Sequence, residues 1–558
     1  MRTVVTRPVA GGRPLYRAGD PPGSLYMVRA GALAVFRNDG MGRRLVGLLR
    51  PGEIVGEFGL LAGTARSATV VALRDSVVAE MPGRDFLDAA RRLPDAMVEV
   101  ARLLVARARS SASEPAVPRV VGLASLDAGI GARRWADLLA REARALGRSV
   151  AVLDAAAAAR PPAWWSDMEA RHDLLLCAAE ADEEDWAAVC RRQVDRMLLF
   201  GDGTRPPPPE RGPCGSEPLQ ANGLVDLVLV RDSGRPSGTA AWLDAISPAR
   251  HHHVGPDGGC APLARSLAGC SVALVLSGGG ARAFAHVGAV DALRRAGVPI
   301  DAVCGTSMGA IVAAGVAAGW DGAELDRRMR DAFVTTNPLD DVALPFVAMT
   351  RGRKVERRLA EHFGEVDIAD LPVPFFCVSA DLGTGDPVVH RRGPLARALR
   401  ASISLPGVLP PVSMGEQVLV DGGVLRNLPS ELMRAAHDGV IVASDVSHAP
   451  GLRPADVERP RPLGRWFWSG SWRRGPPIVS ILMRSATLAA GPDLIASRAA
   501  ADLYVMPEVG GIEIREWRAY DRAVAAGRRA MTDALAGLDT PVHLLRRERM
   551  ARAVGGGM

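Results

Sequence analysis

Lysine is almost missing from this chain: among 558 residues Lys354 is the single one, so arginine carries the formal net charge of +6. An arginine excess this modest suits an anionic membrane surface, but charge alone gives no ground for a nucleic-acid partner. The richness in Ala, Gly and Arg points to the coding bias of a G+C-rich genome more than to a function. Cysteine is sparse as well. The seven cysteines lie between Cys177 and Cys377, contain no C-x-x-C pair and are odd in number. That usage fits a reduced, cytoplasmic protein without structural zinc. The opening run Met1-Arg2-Thr3-Val4-Val5-Thr6-Arg7-Pro8 has no long apolar core of signal-peptide type. The uncharged stretch from Val303 to Trp320 nears membrane-spanning length, yet it is built of Gly and Ala around a sharp turn, so it reads as a buried core helix.

What is present is a set of three motifs in one order. Ser307 stands in Gly305-Thr306-Ser307-Met308-Gly309, between an apolar run ending at Cys304 and a helical run from Ala310 to Ala318. A G-x-S-x-G step between strand and helix exposes the serine hydroxyl on a tight turn. Upstream, Ser277-Gly278-Gly279-Gly280-Ala281-Arg282 follows the apolar strand Val272 to Leu276 and opens a helix expected to run to Ala296. Bare glycine amides at a helix start can approach a developing oxyanion. A phosphate-binding reading is weaker, because the run lacks G-x-G-x-x-G spacing and no G-K-[ST] follows. Downstream, Asp421-Gly422-Gly423 ends the strand Gln417 to Val420, where a carboxylate can face a cleft.

Serine hydrolases mostly use histidine as base. Here His286, His362, His390, His437, His448 and His543 are available, but none stands in a turn that presents it to Ser307. His286 falls inside the helix after the glycine run and reads as a packed, structural residue. Asp421 as direct base is the preferred reading. No ligand cluster accompanies the three motifs, so the chemistry asks for no metal and no catalytic cofactor.

With Ala401-Ser402-Ile403-Ser404-Leu405-Pro406-Gly407-Val408-Leu409-Pro410-Pro411 before the last motif, the chain resembles the patatin-like phospholipases, and within them the neuropathy target esterase branch. The resemblance implies a Ser-Asp dyad of Ser307 and Asp421, an oxyanion hole from Gly278, Gly279 and Gly280, and Arg282 supporting that loop. It implies a lipid ester as substrate, a lysophospholipid or phospholipid. Two positions depart from the family, Ala283 in place of a glycine and Arg426 in place of a small amide, and both bear on substrate fit rather than on the dyad.

The first hundred residues read as short strands punctuated by glycine, an all-β roll. Gly56-Glu57-Phe58-Gly59-Leu60-Leu61 and Arg66-Ser67-Ala68-Thr69 resemble the phosphate-binding cassette of cyclic nucleotide-binding domains. Glu57 would accept from a ribose hydroxyl, Arg66 would pair with the cyclic phosphate, and Ser67 would add a hydroxyl, with cAMP and cGMP both open as regulatory ligand. The competing reading is a roll kept as a structural module. A connector helix is expected over Asp85 to Ser110.

From Arg119 to Gly269 strands and helices alternate, which suggests a small, Rossmann-like parallel α/β unit. Its first loop, Asp127-Ala128-Gly129-Ile130-Gly131, lacks a phosphate-loop lysine, so a docking module without nucleotide chemistry is expected. A DNA-binding regulator would need a helix-turn-helix where this unit stands. His251-His252-His253 lies on an extended segment whose neighbours alternate faces, and reads as structure rather than metal site.

The expected fold class is therefore multidomain: a cyclic nucleotide-binding roll over 1–115, an α/β linker domain over 118–268, a patatin-like hydrolase domain over 271–540 and a C-terminal tail over 541–558. The Trp- and Arg-rich insertion 452–475 suits either a bilayer interface or a packed lid. The expected activity is cytoplasmic, lipid-directed serine esterase chemistry with peripheral contact at the membrane and no nucleic-acid partner. The alternative is a catalytically idle nucleotide- or lipid-binding scaffold.

Overall fold

The computed structural model of the chain describes residues 4–39, 42–93, 97–98, 100–101, 118–127, 129–180, 182–208, 225–231, 234, 236–255, 259–336, 339–343, 347–447 and 491–546. The insertion 452–475, His448 and the last twelve residues fall outside them. The chain divides into two compact units, Met1–Gly234 with Ala241–Gly269, and Arg235–Ala240 with Cys270–Met558.

In the first unit, two four-stranded antiparallel sheets form the roll. One carries Val5–Val9, Ser76–Pro82, Ser24–Ala30 and Ile54–Val55 in that order, and the other Pro14–Tyr16, Thr69–Ala72, Leu33–Asp39 and Gly42–Leu49. Alternation puts Val28, Leu33, Val70, Ala72 and Val78 inside. The connector begins as the helix Gly83–Arg92, and the rest of its expected span is mostly outside the described residues.

The α/β part of this unit is a six-stranded, wholly parallel sheet: Val150–Leu153, Leu174–Ala179, Val120–Ser125, Arg196–Asp202, Val225–Val230 and Arg250–Val254. Counted along the chain this is the order 2-3-1-4-5-6, a variation on the 3-2-1-4-5-6 of dinucleotide-binding sheets. The histidine triplet thus forms the edge strand. Helix Ala132–Ala145 shows why it packs where it does: Ala132, Trp135, Ala136, Leu139, Ala140 and Ala143 recur at helical spacing and are all buried.

The second unit is built on an eight-stranded sheet. Phe375–Asp381, Ala302–Thr306, Val272–Leu276, Val440–Ser444 and Leu503–Val505 run parallel, while Val412–Met414, Gln417–Asp421 and Pro387–His390 join antiparallel. Helix Met308–Ala317 is buried over its whole length, which accounts for its uncharged sequence. Among the described residues no helix is long and apolar enough to cross a membrane. At the C-terminal end, Val542 still packs in the main core, so the chain is folded past the point where the sequence alone starts a tail.

One feature of the register positions the site. Strand Phe375–Asp381 pairs along one edge with Pro387–His390; its other edge is shared end to end by two strands approaching from opposite directions. Ala302–Thr306 runs parallel and ends with Thr306 opposite Val378. Gln417–Asp421 runs antiparallel and ends with Asp421 opposite Ser379. The ends of two strands far apart in sequence therefore meet beside adjacent residues of a third.

Candidate active site

Ser307 follows Thr306 at that meeting point and caps helix Met308–Ala317 with φ 55° and ψ −132°. A non-glycine residue there is strained by about 1–3 kcal/mol, and the surrounding packing holds it. The motif glycines are required by close approach: a Cβ on Gly305 would lie 2.6 Å from the Gly309 carbonyl carbon, and one on Gly309 would lie 2.4 Å from the Ser277 carbonyl oxygen. The strain points the hydroxyl at Asp421. Ser307 Oγ donates to Asp421 Oδ2 at 2.6 Å. The backbone N–H of Ser307 donates to Ser402 Oγ at 3.0 Å.

Asp421 is 2% exposed. Its Oδ1 accepts the Gly423 N–H at 2.8 Å, and its own N–H donates to the Ser404 carbonyl at 2.9 Å. Burial disfavours the charged carboxylate and pushes its pKa up to about 6, against the downward pull of the bonds from Ser307 and Gly423. A carboxylate so tuned is a stronger base than an exposed one and is still largely ionised at neutral pH.

The glycine run sits beside the serine. A Cβ on Gly278 would come within 3.0 Å of Ser307 Cβ and 2.6 Å of Asn427 Oδ1. The Gly278 N–H donates to the Asn427 carbonyl at 3.2 Å and its carbonyl accepts from Asn427 Nδ2 at 3.3 Å. In this geometry Gly278 is anchored by Asn427, and its contribution next to Ser307 is the missing side chain. Gly280 has φ 58°, and a Cβ there would sit 2.3 Å from the Ile514 carbonyl. That turn makes Gly280–Phe284 a 3-10 segment, with the α-helix confined to Ala285–Arg295 rather than starting at Ala281. Arg282, 5% exposed, donates from Nε to the Ile512 carbonyl at 2.7 Å, while the Ala281 N–H reaches the Ile514 carbonyl at 2.8 Å. Arg282 thus ties the loop to the segment around 512–514.

Three of the histidines are engaged elsewhere. His286 is fully buried between the Ser277 carbonyl (2.9 Å) and Ser444 Oγ (3.0 Å), His390 Nε2 meets Ser379 Oγ at 2.7 Å, and His437 Nε2 meets Ser271 Oγ at 3.3 Å. Among the described residues no group of three or more His, Cys, Asp or Glu is placed to hold a metal ion.

In the roll, Gly56 takes φ 97° just before helix Glu57–Ala62, with Glu57 buried. A Cβ on Gly56 would meet Arg66 Nη1 at 2.5 Å. Arg66 is turned inward: Nη1 donates to the Gly56 carbonyl at 2.8 Å, Nη2 to the Ser24 carbonyl at 2.6 Å, and the guanidinium lies 4.3 Å from the Tyr16 ring centre. Ser67 is exposed and Ala68 buried. The structure therefore gathers Gly56, Glu57 and Arg66.

Sequence reasoning attached Ser402 and Ser404 only to a family likeness and gave Asn427 no task. Ser402 reaches Ser307 across 95 residues and Asn427 reaches Gly278 across 149, while Ser404 meets Asp421 through its backbone carbonyl, and no local periodicity marks such contacts.

Residues 274–433 match the family model of patatin-like phospholipases, and residues 6–92 that of cyclic nucleotide-binding domains. This is a multidomain protein with a cyclic nucleotide-binding roll and a patatin-like phospholipase domain, the latter a lipid-hydrolase fold. An uncharacterised NTE family protein of Mycobacterium tuberculosis is 34% identical over 553 residues, spanning 96% of this chain and 92% of the relative. The chain belongs to the NTE family. Human patatin-like phospholipase domain-containing protein 6 is 28% identical over 510 residues, spanning 78% of this chain and 37% of the human protein. Among solved structures, the catabolite activator protein of Thermus thermophilus is 31% identical with a TM-score of 0.19, covering 25% of this chain and 60% of that one.

Proposed function

We propose that the chain is a serine esterase that cleaves acyl esters of lysophospholipids or phospholipids through a Ser307–Asp421 dyad. The observation that carries this reading is the 2.6 Å bond from the Ser307 hydroxyl to a carboxylate that is 2% exposed. Asp421 takes the hydroxyl proton as Ser307 Oγ attacks the ester carbonyl. The oxyanion is met by the amides of Gly279 and Gly280, the Gly278 N–H being given to the Asn427 carbonyl, in a loop that Arg282 holds in place; such donors are each worth about 2.7–4 kcal/mol in the transition state. The alcohol leaves with the proton from Asp421. Water, deprotonated by the same carboxylate, then attacks the acyl carbonyl, and Asp421 returns that proton to Ser307 Oγ as the fatty acid leaves.

The domain boundaries that accompany this reading are 1–115, 118–268 and 271–540. The lipid substrate is reached by peripheral contact with the cytoplasmic face of a membrane, and the scheme needs no catalytic cofactor. Cyclic AMP or cyclic GMP, bound through Glu57 and Arg66, is the proposed regulatory ligand. Fluorophosphonate labelling of the folded chain tests the nucleophile: Ser307 labels in wild type and the label is lost in Ser307→Ala. Products from a mixed lipid extract then identify the ester. Absence of labelling and of hydrolysis would leave the idle scaffold as the better description.

A further inference from the structure

The turn at Ala401 to Ser404 touches the backbones of both residues of the pair. Ser402 ends helix Leu395–Ser402 and is fully buried. Its hydroxyl is used on both sides: Oγ accepts the Ser307 N–H at 3.0 Å and donates to the Val378 carbonyl at 2.7 Å. Two residues on, the Ser404 carbonyl accepts the Asp421 N–H at 2.9 Å. Val378 and Ser379 are the adjacent strand residues against which Thr306 and Asp421 end. One short segment therefore grips the nucleophile, the carboxylate and the strand that brings them together.

We infer that Ser402 and Ser404 are positioning residues that set the Ser307–Asp421 separation, Ser402 by holding the strained nucleophile turn and Ser404 by holding the Asp421 backbone. The inference rests on the proposed dyad. Ser307 sits at φ 55°, a conformation that persists only where partners enforce it. Its N–H is directed to a hydroxyl whose single proton is already committed to Val378, so the bond has one polarity and one geometry. Asp421 must accept from Ser307 Oγ at short range, and a displacement of about 1 Å at such a pair can cost about 100-fold in rate.

The segment is itself fastened. Arg400, 4% exposed, donates from Nη1 to Ser404 Oγ at 2.6 Å and from Nη2 to the Pro410 carbonyl at 3.1 Å, with Nε 3.4 Å from Glu356 Oε1. Gly352, at φ 75°, leaves room for this guanidinium, since a Cβ there would meet Nη2 at 2.5 Å. The helix Arg353–Phe363, which supplies Glu356, thereby supports the brace from outside.

The test uses the full chain with a water-soluble short-chain ester as substrate and three replacements at one position. Ser402→Ala removes the hydroxyl, Ser402→Cys keeps the volume with a poor acceptor, and Ser402→Thr keeps the hydroxyl. The brace predicts that kcat follows the hydroxyl: about 10- to 50-fold loss in the Ala and Cys variants, KM within about 2-fold of wild type, and substantial recovery in the Thr variant. Fluorophosphonate labelling of Ser307 slows in parallel, with melting temperatures within about 4 °C of wild type. Wild-type kcat in Ser402→Ala or Ser402→Cys overturns the inference, as does a Thr variant no more active than Ala. Full activity in Ser307→Ala or Asp421→Asn would instead sink the dyad itself, whatever the Ser402 series shows.

Discussion

His286 Nε2 donates to the carbonyl oxygen of Ser277 at 2.9 Å while its Nδ1 faces Ser444 Oγ at 3.0 Å. A carbonyl can only accept, so the proton sits on Nε2 and the Ser444 hydroxyl donates to Nδ1. The imidazole is thus a neutral strut that joins the glycine run to strand Val440–Ser444, and burial lowers its pKa to about 4. Replacing it with alanine leaves a buried carbonyl and hydroxyl unpaired, for an expected loss of about 2–4 kcal/mol in unfolding free energy. Urea unfolding measures that loss. The pH at which kcat/KM falls should stay where it is, and a displaced acid limb in His286→Ala would show that this ring is the base after all.

Activity should titrate with Asp421. In the proposed dyad the carboxylate works only when ionised, and burial raises its pKa to about 6, so kcat/KM is expected to be half-maximal near pH 6 and to reach a plateau above it. Asp421→Asn should lower kcat by about 1,000-fold or more, with Ser307 still exposed to small electrophiles. A pH profile of the wild type with a limb near pH 4, the value of an unburied carboxylate, would contradict the assignment.

Stability should also fall in acid, although Asp421 alone works against that trend. Asp421, with its folded pKa above the unfolded one, contributes stability below about pH 4 that is lost as pH rises through about 6. His286 and His390 are both lowered to about 4 by burial, so each contributes stability above about pH 6.5 that is lost as pH falls towards 4. Two histidines oppose one carboxylate over the same window. The sum of these three groups therefore falls with acidification from pH 6.5 to 4, at about 1.4 kcal/mol per unit at most. Melting scans of wild type beside His390→Gln, whose slope in this window should be flatter, provide the measurement.

Much of this site was legible because the chemistry is local. Gly305 to Gly309 must bend and Gly278 to Gly280 must stay bare, so each motif announces itself within a few residues, and the uncharged run after Ser307 forecasts a helix buried on every side. Asp421 stands out the same way, from two glycines after an apolar strand. What the sequence hid is the joining of these pieces. Thr306 and Asp421 become neighbours only through the two-strand pairing of Phe375–Asp381, and Ser402 and Asn427 are ordinary polar letters until the fold puts Ser307 and Gly278 beside them. The inward turn of Arg66 was hidden for a like reason: its carbonyl partners, Gly56 and Ser24, lie on separate elements.

A further prediction concerns glycines that no motif contains. Helix Ala285–Arg295 packs against helix Tyr520–Ala536, and a Cβ on Gly288 would lie 1.9 Å from the Val524 carbonyl oxygen, while one on Gly527 would lie 1.8 Å from that of Ala285. The two backbones touch where both side chains are missing. Alanine at either position must push the helices apart, which costs about 3 kcal/mol or more in a close-packed core. Because helix Ala285–Arg295 continues directly from the 3-10 segment Gly280–Phe284 of the glycine loop, Gly288→Ala should also reduce fluorophosphonate labelling of Ser307. Denaturant midpoints within experimental scatter of wild type would mean that the helices can part freely there.

Arg74 is fully buried, and its guanidinium lies 2.6 Å from Glu169 Oε2 and 3.8 Å from Asp195 Oδ1, with Arg50 3.6 Å and 3.7 Å from the same two carboxylates. Burial pushes Glu169 up despite Arg74, whereas at Asp195 the two arginines and the Arg119 and Val120 N–H groups outweigh burial and hold the carboxyl below its usual value. The cluster joins the roll to helix Pro162–Arg171 and to the parallel sheet within the first unit. Arg74→Met should remove about 3–5 kcal/mol, because two buried carboxylates lose their main cation. The loss should be smaller near pH 4, where Glu169, already raised and now less opposed, takes up a proton and relieves the charge. Adding Glu169→Leu to Arg74→Met should recover part of the stability at neutral pH, since an apolar pair carries no uncompensated charge. Chemical denaturation of the two variants at pH 4 and pH 7 decides it: equal losses at both pH values would show that packing of the arginine stem, rather than its charge, holds this joint.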